Sequence, residues 1–468
     1  MPPAPLNLGE LLLTALPVSL RHIPYRLRDV AHELQQRVAL AGGVPRDLLR
    51  LSLGQIDRYR FHSELRDFDV VVEGDGVRFA YELVRRLPGR LTVNQAFHTA
   101  SLLTGDPLRL DITSARLDSY PASGHLPVVD VSGVSIEEDL QRRDFSINAL
   151  ALDLSHDFGQ LIDTCGGAGD VREQWVRVLH GASFSDDPTR LLRALRYSLR
   201  LNYNLEPVTL AQYQSAIDDG ALDNLTPERI RYELECIGSE PRWAEAWAVM
   251  DLSGLAKALA PQLGGISRDF ALEDAAALDI AIRNQEPLLK REELEPWLVR
   301  TAWVLASAPW AHFEGLSARL GIYPTQQRWL ATALEVIHEQ LRRLLDEMRP
   351  SAITRLLERY PRQGVVLALM IYQPRSEDGV EVRKKLLRYV EVYSEVRGEL
   401  TGHNLIALGV PAGPALGELR NQLRYMRLDG VITDAAGERE YAKEYLARLG
   451  PDSAGGPPVE PKDDEDEN

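Results

Sequence analysis

Two aspartates alternate with bulky apolar side chains in D-F-D-V-V-V, residues 67–72, and this run constrains the fold more than any other in the chain. A strand sends alternate residues to opposite faces, so Asp67 and Asp69 share one face and Phe68 takes the other. Neighbouring carboxylates repel, and aspartate is a poor strand former. Either the pair faces water at a sheet edge, or a cation compensates it. Mg²⁺ is the natural cation, being hard and suited to carboxylate and phosphate oxygens. Upstream, V-A-L-A-G-G (38–43) reads as a buried strand entering a turn, with Arg46 in the helix that follows. Gly42 and Gly43 let backbone N–H groups approach a triphosphate with no Cβ in the way, although an ordinary strand–helix turn has the same pattern. L-R-L-D-I (108–112) reads as a neighbouring strand and offers a third acid, Asp111.

Two polar clusters follow. Q-R-R-D-F-S-I-N-A-L-A-L (141–152) has neither a helical period nor a clean strand alternation. Its Arg142 and Arg143 can present forked donors to phosphate, and its Asp144 can accept from a sugar hydroxyl or from an arginine. S-D-D-P-T-R-L-L-R-A-L-R (185–196) opens a helix, with Asp187 as the capping acid and Pro188 at the first helical position. Arg190, Arg193 and Arg196 recur every third residue and so share a face. Leu191, Leu192, Leu195 and Leu199 form the opposing apolar stripe. Taken alone, a triple-arginine face is a solvated surface.

These motifs, in this order, resemble the class II nucleotidyltransferases that act on RNA 3′ ends: the tRNA CCA-adding enzymes and bacterial poly(A) polymerases, with their R-R-D-F-T-I-N-A-M-A signature. The resemblance implies an α+β, mostly helical chain. Its polymerase-β-like head would carry a mixed sheet (1–153), followed by a helical neck (154–240) and a helical body and tail that bind tRNA (241–450). Asp67 and Asp69 would hold two Mg²⁺ ions, and Asp111 would help activate the attacking 3′-hydroxyl. Gly42, Gly43, Arg46, Arg142 and Arg143 would hold the triphosphate, and Asp144 and Asn148 would shape the ribose pocket. The turn-rich segment 115–127 resembles the family's flexible loop, with Arg116 and Asp118 as its basic–acidic pair. Asp187 and Arg190 match the E-D-x-x-R motif that reads the incoming base, with Asp186 in place of the usual Glu; Arg193 and Arg196 complete that nucleotide-binding face. In T-P-E-R-I-R-Y-E-L-E-C-I (226–237), Glu228 and Glu233 are expected to brace those arginines. Gly167 and Asp170 are expected to shape a turn. Residues 401–431 resemble the family's C-terminal segment. The stretch between Gly43 and Asp67 is longer than usual.

The implied reaction adds C, A or both to a tRNA 3′ end from CTP and ATP. Its rivals are an A-adding-only enzyme, a poly(A) polymerase, and a non-catalytic RNA-binding protein with a degenerate palm. The net charge of −16 speaks against the basic segments of a poly(A) polymerase. Residues 451–468 hold seven acids and one lysine among many Pro and Gly, a composition expected to be disordered. Two cysteines, Cys165 and Cys236, make no disulfide framework and suit a reducing cytoplasm. No apolar run approaches membrane-spanning length, the first residues show no signal-peptide pattern, and no protein partner is implied. Between residues 240 and 400 a helical rhythm is expected to break at Pro261, Pro296, Pro309, Pro350 and Pro374.

Overall fold

The computed structural model describes residues 6–65, 67–105, 108–266, 272–308 and 313–449. The acidic segment 451–468 and Pro309 lie outside them. The chain forms two units, Met1–Asp269 with Gly315–Gly321, and Phe270–Glu314 with Ile322–Asn468.

The first unit is built on a seven-stranded mixed sheet. Its strands are β1 (Val38–Ala41), β2 (Asp67–Val72), β3 (Gly89–Asn94), β4 (Thr99–Thr104), β5 (Arg109–Ser114), β8 (Leu150–Asp153) and β9 (Leu161–Asp163), in the order β3-β4-β5-β2-β1-β8-β9. Only the β2–β5 pair is parallel. β1 is central and fully buried, which accounts for its unbroken V-A-L-A run. On β2 every apolar side chain is buried, while Asp67 and Asp69 keep partial exposure on their shared face. Helix Gly76–Val84 packs on β4 and β5.

Three local expectations change. The turn-rich segment is not a plain loop: Leu117–Ser119 (β6) pairs antiparallel with Val128–Asp130 (β7), making a hairpin. Gly167 and Asp170 do not shape a turn but open helix Gly167–Glu173. A Cβ on Gly167 would stand 2.1 Å from the Ser146 carbonyl oxygen, so the glycine is there for close approach. Helix Thr189–Leu201 begins two residues after Asp187, with Pro188 in the cap position. Asp187 still caps by side chain, since its Oδ1 accepts from the Thr189 N–H at 3.1 Å.

The second unit is helical among its described residues. Helix Arg362–Ile371 buries Val365, Val366, Leu367 and Ala368 completely. It packs on helices Pro324–Glu335, Pro296–Leu305 and Glu377–Glu391. Pro296 and Pro350 start helices rather than breaking them, as expected of a residue with fixed φ and no N–H to lose in the first turn. Residues 401–431 supply helices Gly402–Ala407 and Pro414–Leu428 around Leu405, Leu419 and Leu423. Glu438 is buried there and accepts from the Glu399 and Leu400 N–H groups. Among the described residues no helix is long and apolar enough to cross a membrane.

Candidate active site

Strand β1 runs out at Gly42, whose φ of +73° is a left-handed conformation that favours glycine. A Cβ there would lie 2.8 Å from Asp69 Oδ2 and 3.2 Å from an Arg143 terminal nitrogen. The turn therefore leaves room where a carboxylate and a guanidinium converge. The helix it starts, Gly43–Ser52, carries Arg46 inward. Arg46 is 5% exposed, forks onto both oxygens of Asp47 at 2.9 Å, and donates to Asn148 Oδ1 at 2.7 Å.

The parallel pairing of β2 with β5 sets Asp69 opposite Asp111, and Asp67 opposite Arg109. Arg109 bridges Asp67 at 3.1 Å and Asp111 at 2.9 Å. Ser101, on β4, donates its hydroxyl to Asp111. Burial foremost pushes the Asp69 carboxyl up to about 6; Arg143 opposes the shift, and Asp67 and Asp111 add to it. A half-buried acid beside two more acids is a site short of positive charge. The donor set is all oxygen, which fits Mg²⁺.

The arginines of 141–152 are organised by Asp139, a residue the motif reading passed over. Its side chain is fully buried. It accepts from Arg142 at 2.6 and 3.0 Å, from Arg143 at 3.2 Å and from the Arg116 N–H at 3.3 Å. Its spacing from both arginines, three and four residues, was a readable signal. Burial works to raise its pKa, but the charges of Arg143 and Arg142 outweigh it and hold the carboxyl below its ordinary value. Arg142 also reaches Asp118 at 2.8 Å, and Asp118 pairs with Arg116 at 3.1 Å. The base of the β6–β7 hairpin is thus tied to the cavity wall.

The arginine helix is not a solvated face. Arg190 is 4% exposed, donating to Ser183 Oγ at 2.6 Å and to the Arg142 carbonyl at 3.1 Å. Arg193 holds Asp144 Oδ2 at 2.5 and 2.9 Å. Asp144 Oδ1 accepts from Asn148 at 3.1 Å and from the Phe145 N–H at 2.8 Å. Although burial works against it, the Arg193 charge and these hydrogen bonds bring Asp144 down to about 2. Arg196 pairs with Glu233 at 3.3 Å and Arg193 with the same acid at 3.5 Å, so Glu233 braces them as expected. Glu228 is exposed in its helix's first turn and makes no ion pair with them among the described residues. Tyr197 packs edge-on against Phe145 and lies under the guanidinium groups of Arg46, Arg193 and Arg196, 5.1–5.8 Å from its ring centre. Asp187 Oδ1 accepts from Arg229 at 2.7 Å, and Arg229 also donates to the Gly124 carbonyl in the hairpin at 2.9 Å.

All sixteen residues expected to serve in catalysis, nucleotide binding or the loop pair line one cavity of about 680 Å³. Arg109, Tyr120 and Tyr197 line it too and were not foreseen. A glycine turn and three acids on a mixed sheet, facing arginines on a later helix of the same unit, define a palm of the nucleotidyltransferase class. Residues 38–177 match the model of the poly A polymerase head domain. Over 427 residues the chain is 31% identical to an A-adding tRNA nucleotidyltransferase of Halalkalibacterium halodurans, covering 90% of this chain and 91% of that one. The chain belongs to the tRNA nucleotidyltransferase and poly(A) polymerase family. It is 33% identical over 425 residues to the A-adding enzyme of Geobacter sulfurreducens, covering 88% of this chain but only 46% of that longer protein. A CC-adding tRNA nucleotidyltransferase of Deinococcus radiodurans is 31% identical, covering 87% of this chain and 89% of its own. Among solved structures, an apo CCA-adding enzyme superposes with a TM-score of 0.71 at 28% identity, covering 95% of this chain and 99% of that one.

Proposed function

We propose that this chain adds C, A or both to the 3′ end of tRNA, taking CTP or ATP and releasing pyrophosphate. The carrying observation is the Asp69–Asp111 register beside Asp67, facing the Asp187–Arg190 turn across one cavity. In this reading the primer 3′-oxygen attacks the α-phosphorus, the bond to the β-phosphate oxygen breaks, and pyrophosphate leaves. Asp111, steadied by Ser101, orients the hydroxyl and takes its proton. Arg142, Arg143 and the Gly42–Gly43 turn hold the triphosphate, with Arg46 fixing the wall behind it. Asp144 and Asn148 set the ribose position. Asp67 and Asp69 would hold Mg²⁺, which when bound supplies positive charge to the attacking and leaving oxygens.

Base choice falls to Asp187 and Arg190. Cytosine and adenine each present an amine beside a ring acceptor, which an acid and a guanidinium complement. Guanine and uracil present the reverse order and leave a buried group unpaired. One good bidentate contact is worth about 1–3 kcal/mol.

A-addition alone is the second reading, favoured by the A-adding names of the two relatives first described. Transfer RNAs ending before C74, at C74 and at C75, each offered single labelled nucleotides, separate the activities. No incorporation on any of the three would remove the proposal. In domain terms, residues 1–153 serve as head, 154–240 as base-reading neck and 241–450 as tRNA-binding body and tail. A cytoplasmic location accords with the tRNA substrate and with two unpaired cysteines.

A further inference from the structure

Three tyrosines line the main cavity: Tyr120, Tyr197 and Tyr232. Two are committed to protein partners. Tyr120 stands beneath the Arg190 guanidinium, 5.9 Å from its ring centre, with its hydroxyl 3.4 Å from that arginine. Tyr197 lies under three arginines. Tyr232 differs, being 60% exposed although it borders a cavity lined mainly by charged side chains. It projects from helix Pro227–Gly238, one turn beyond the Arg229 that holds Asp187. It lines the same cavity as Arg109, the residue bridging Asp67 and Asp111.

Tyr232 also borders a second, outer groove of about 350 Å³ shared with Asp187, Arg193 and Arg229. It therefore stands between the carboxylates, where a primer 3′-oxygen must arrive, and open surface, from which a single strand must enter. Every base has a π face, so an uncommitted aromatic at such a point holds a nucleotide without regard to its identity. An enzyme whose primer end changes with each addition needs a contact of that kind.

We infer that Tyr232 is the stacking platform for the terminal base of the RNA primer, a positioning residue distinct from the pair that reads the incoming nucleotide. The inference rests on the RNA 3′-end reading above.

The test is a binding experiment that needs no transfer. A tRNA ending at position 75, with 2-aminopurine in place of C75, is titrated against the full chain and against Tyr232→Leu, Tyr232→Phe and Tyr232→Trp. Stacking quenches the probe in the parent protein and in the Phe and Trp variants. In Tyr232→Leu the quench is lost and binding weakens roughly 5- to 150-fold. A second tRNA with an abasic last position should bind the parent and Tyr232→Leu alike, because the same contact is missing either way. In steady state, Tyr232→Leu raises KM for primer and leaves KM for nucleotide in place. Undiminished quenching in Tyr232→Leu, or an abasic penalty as large in that variant as in the parent, overturns the inference. Melting curves guard against misfolding, which an exposed side chain seldom causes on truncation. A parent protein that binds and quenches but transfers nothing would sink the activity reading and leave the stacking inference standing.

Discussion

The two walls of the cavity are charged oppositely and built by opposite rules. On the helix wall each arginine of the 190–193–196 face already has a protein partner: Ser183 for Arg190, Asp144 for Arg193, Glu233 for Arg196. On the sheet wall Arg109 bridges two acids, Asp67 and Asp111, while burial and those two acids push the third, Asp69, up to about 6 against the opposing charge of Arg143. The helix wall is preorganised, so it can read a base edge without rearranging. The sheet wall is left short of positive charge, so it responds to a cation.

The largest test of that contrast is chemical. Asp67→Ala or Asp69→Ala should cut nucleotide transfer by at least about 100- to 1,000-fold, the scale of losing a preorganised electrostatic element. The melting temperature should hardly fall, because either change relieves repulsion. Near-parental incorporation with Mg²⁺ would break the assignment of that wall.

On the helix wall the same kind of change should damage the fold. Asp144→Ala leaves the half-buried Arg193 with only Glu233 at 3.5 Å; breaking a fully buried pair costs about 3–5 kcal/mol, and the partial exposure of Arg193 places this loss at or below the lower figure. Because Asp144 sits near 2 in the folded chain, its contribution is present above the ordinary carboxylate range and fades as pH falls through about 2. Urea unfolding at pH 7 and pH 3 checks both statements. A variant as stable as the parent at pH 7 would show the pair to be ornamental.

A smaller effect sharpens the contrast within the helix wall. Arg190→Ala should narrow the preference for CTP and ATP over GTP and UTP by roughly 5- to 150-fold. A uniform loss of rate with the preference ratio intact would make Arg190 a structural arginine. The four kcat/KM values on one tRNA, beside a melting curve, decide it.

The smallest effect is a linkage on the sheet wall. Asp69 is raised, so the fold favours its protonated form, and that contribution disappears as pH rises through about 6. Mg²⁺ needs the ionised form. The rise in melting temperature caused by Mg²⁺ should therefore be several degrees at pH 7.5 and much less at pH 5.5, since a kilocalorie shifts a domain of this size by about 2–4 °C. An equal rise at both would separate Asp69 from the cation.

Much of this site is legible locally. The D-F-D-V-V-V run gave β2 to the residue, because alternation and β-branching agree there. The G-G pair marked the turn, because a backbone constraint leaves its trace in the residue itself. What the sequence concealed was partnership. Taken alone the arginine helix looked solvated because Asp144, the acid that holds Arg193, comes from a distant segment, whereas Glu233 was foreseen as a brace. The β6–β7 pairing hid behind Pro and Gly in the intervening turn, since composition says nothing about which flanks meet. Arg109 sat two residues before Asp111, on the same face of a strand, and only the parallel register showed that it also faces Asp67.

That parallel register has a consequence for the chain as it is made. Parallel neighbours cannot be joined by a tight turn, and here helix Gly76–Val84 and strands β3 and β4 lie between them. Asp67 and Arg109 are 42 residues apart, so the acids cannot meet until that whole crossover has left the ribosome. Arg190 follows Asp111 by about 80 residues, roughly 4–16 seconds of synthesis at ordinary elongation rates. For that interval a nascent chain can assemble the cation-seeking acids but holds none of the arginines that choose a base. A ribosome-arrested chain ending short of Asp187 should gain protease resistance on adding Mg²⁺ with any of the four nucleoside triphosphates, since the Gly42–Gly43 turn, Arg142 and Arg143 are already made, and should show no preference for CTP or ATP.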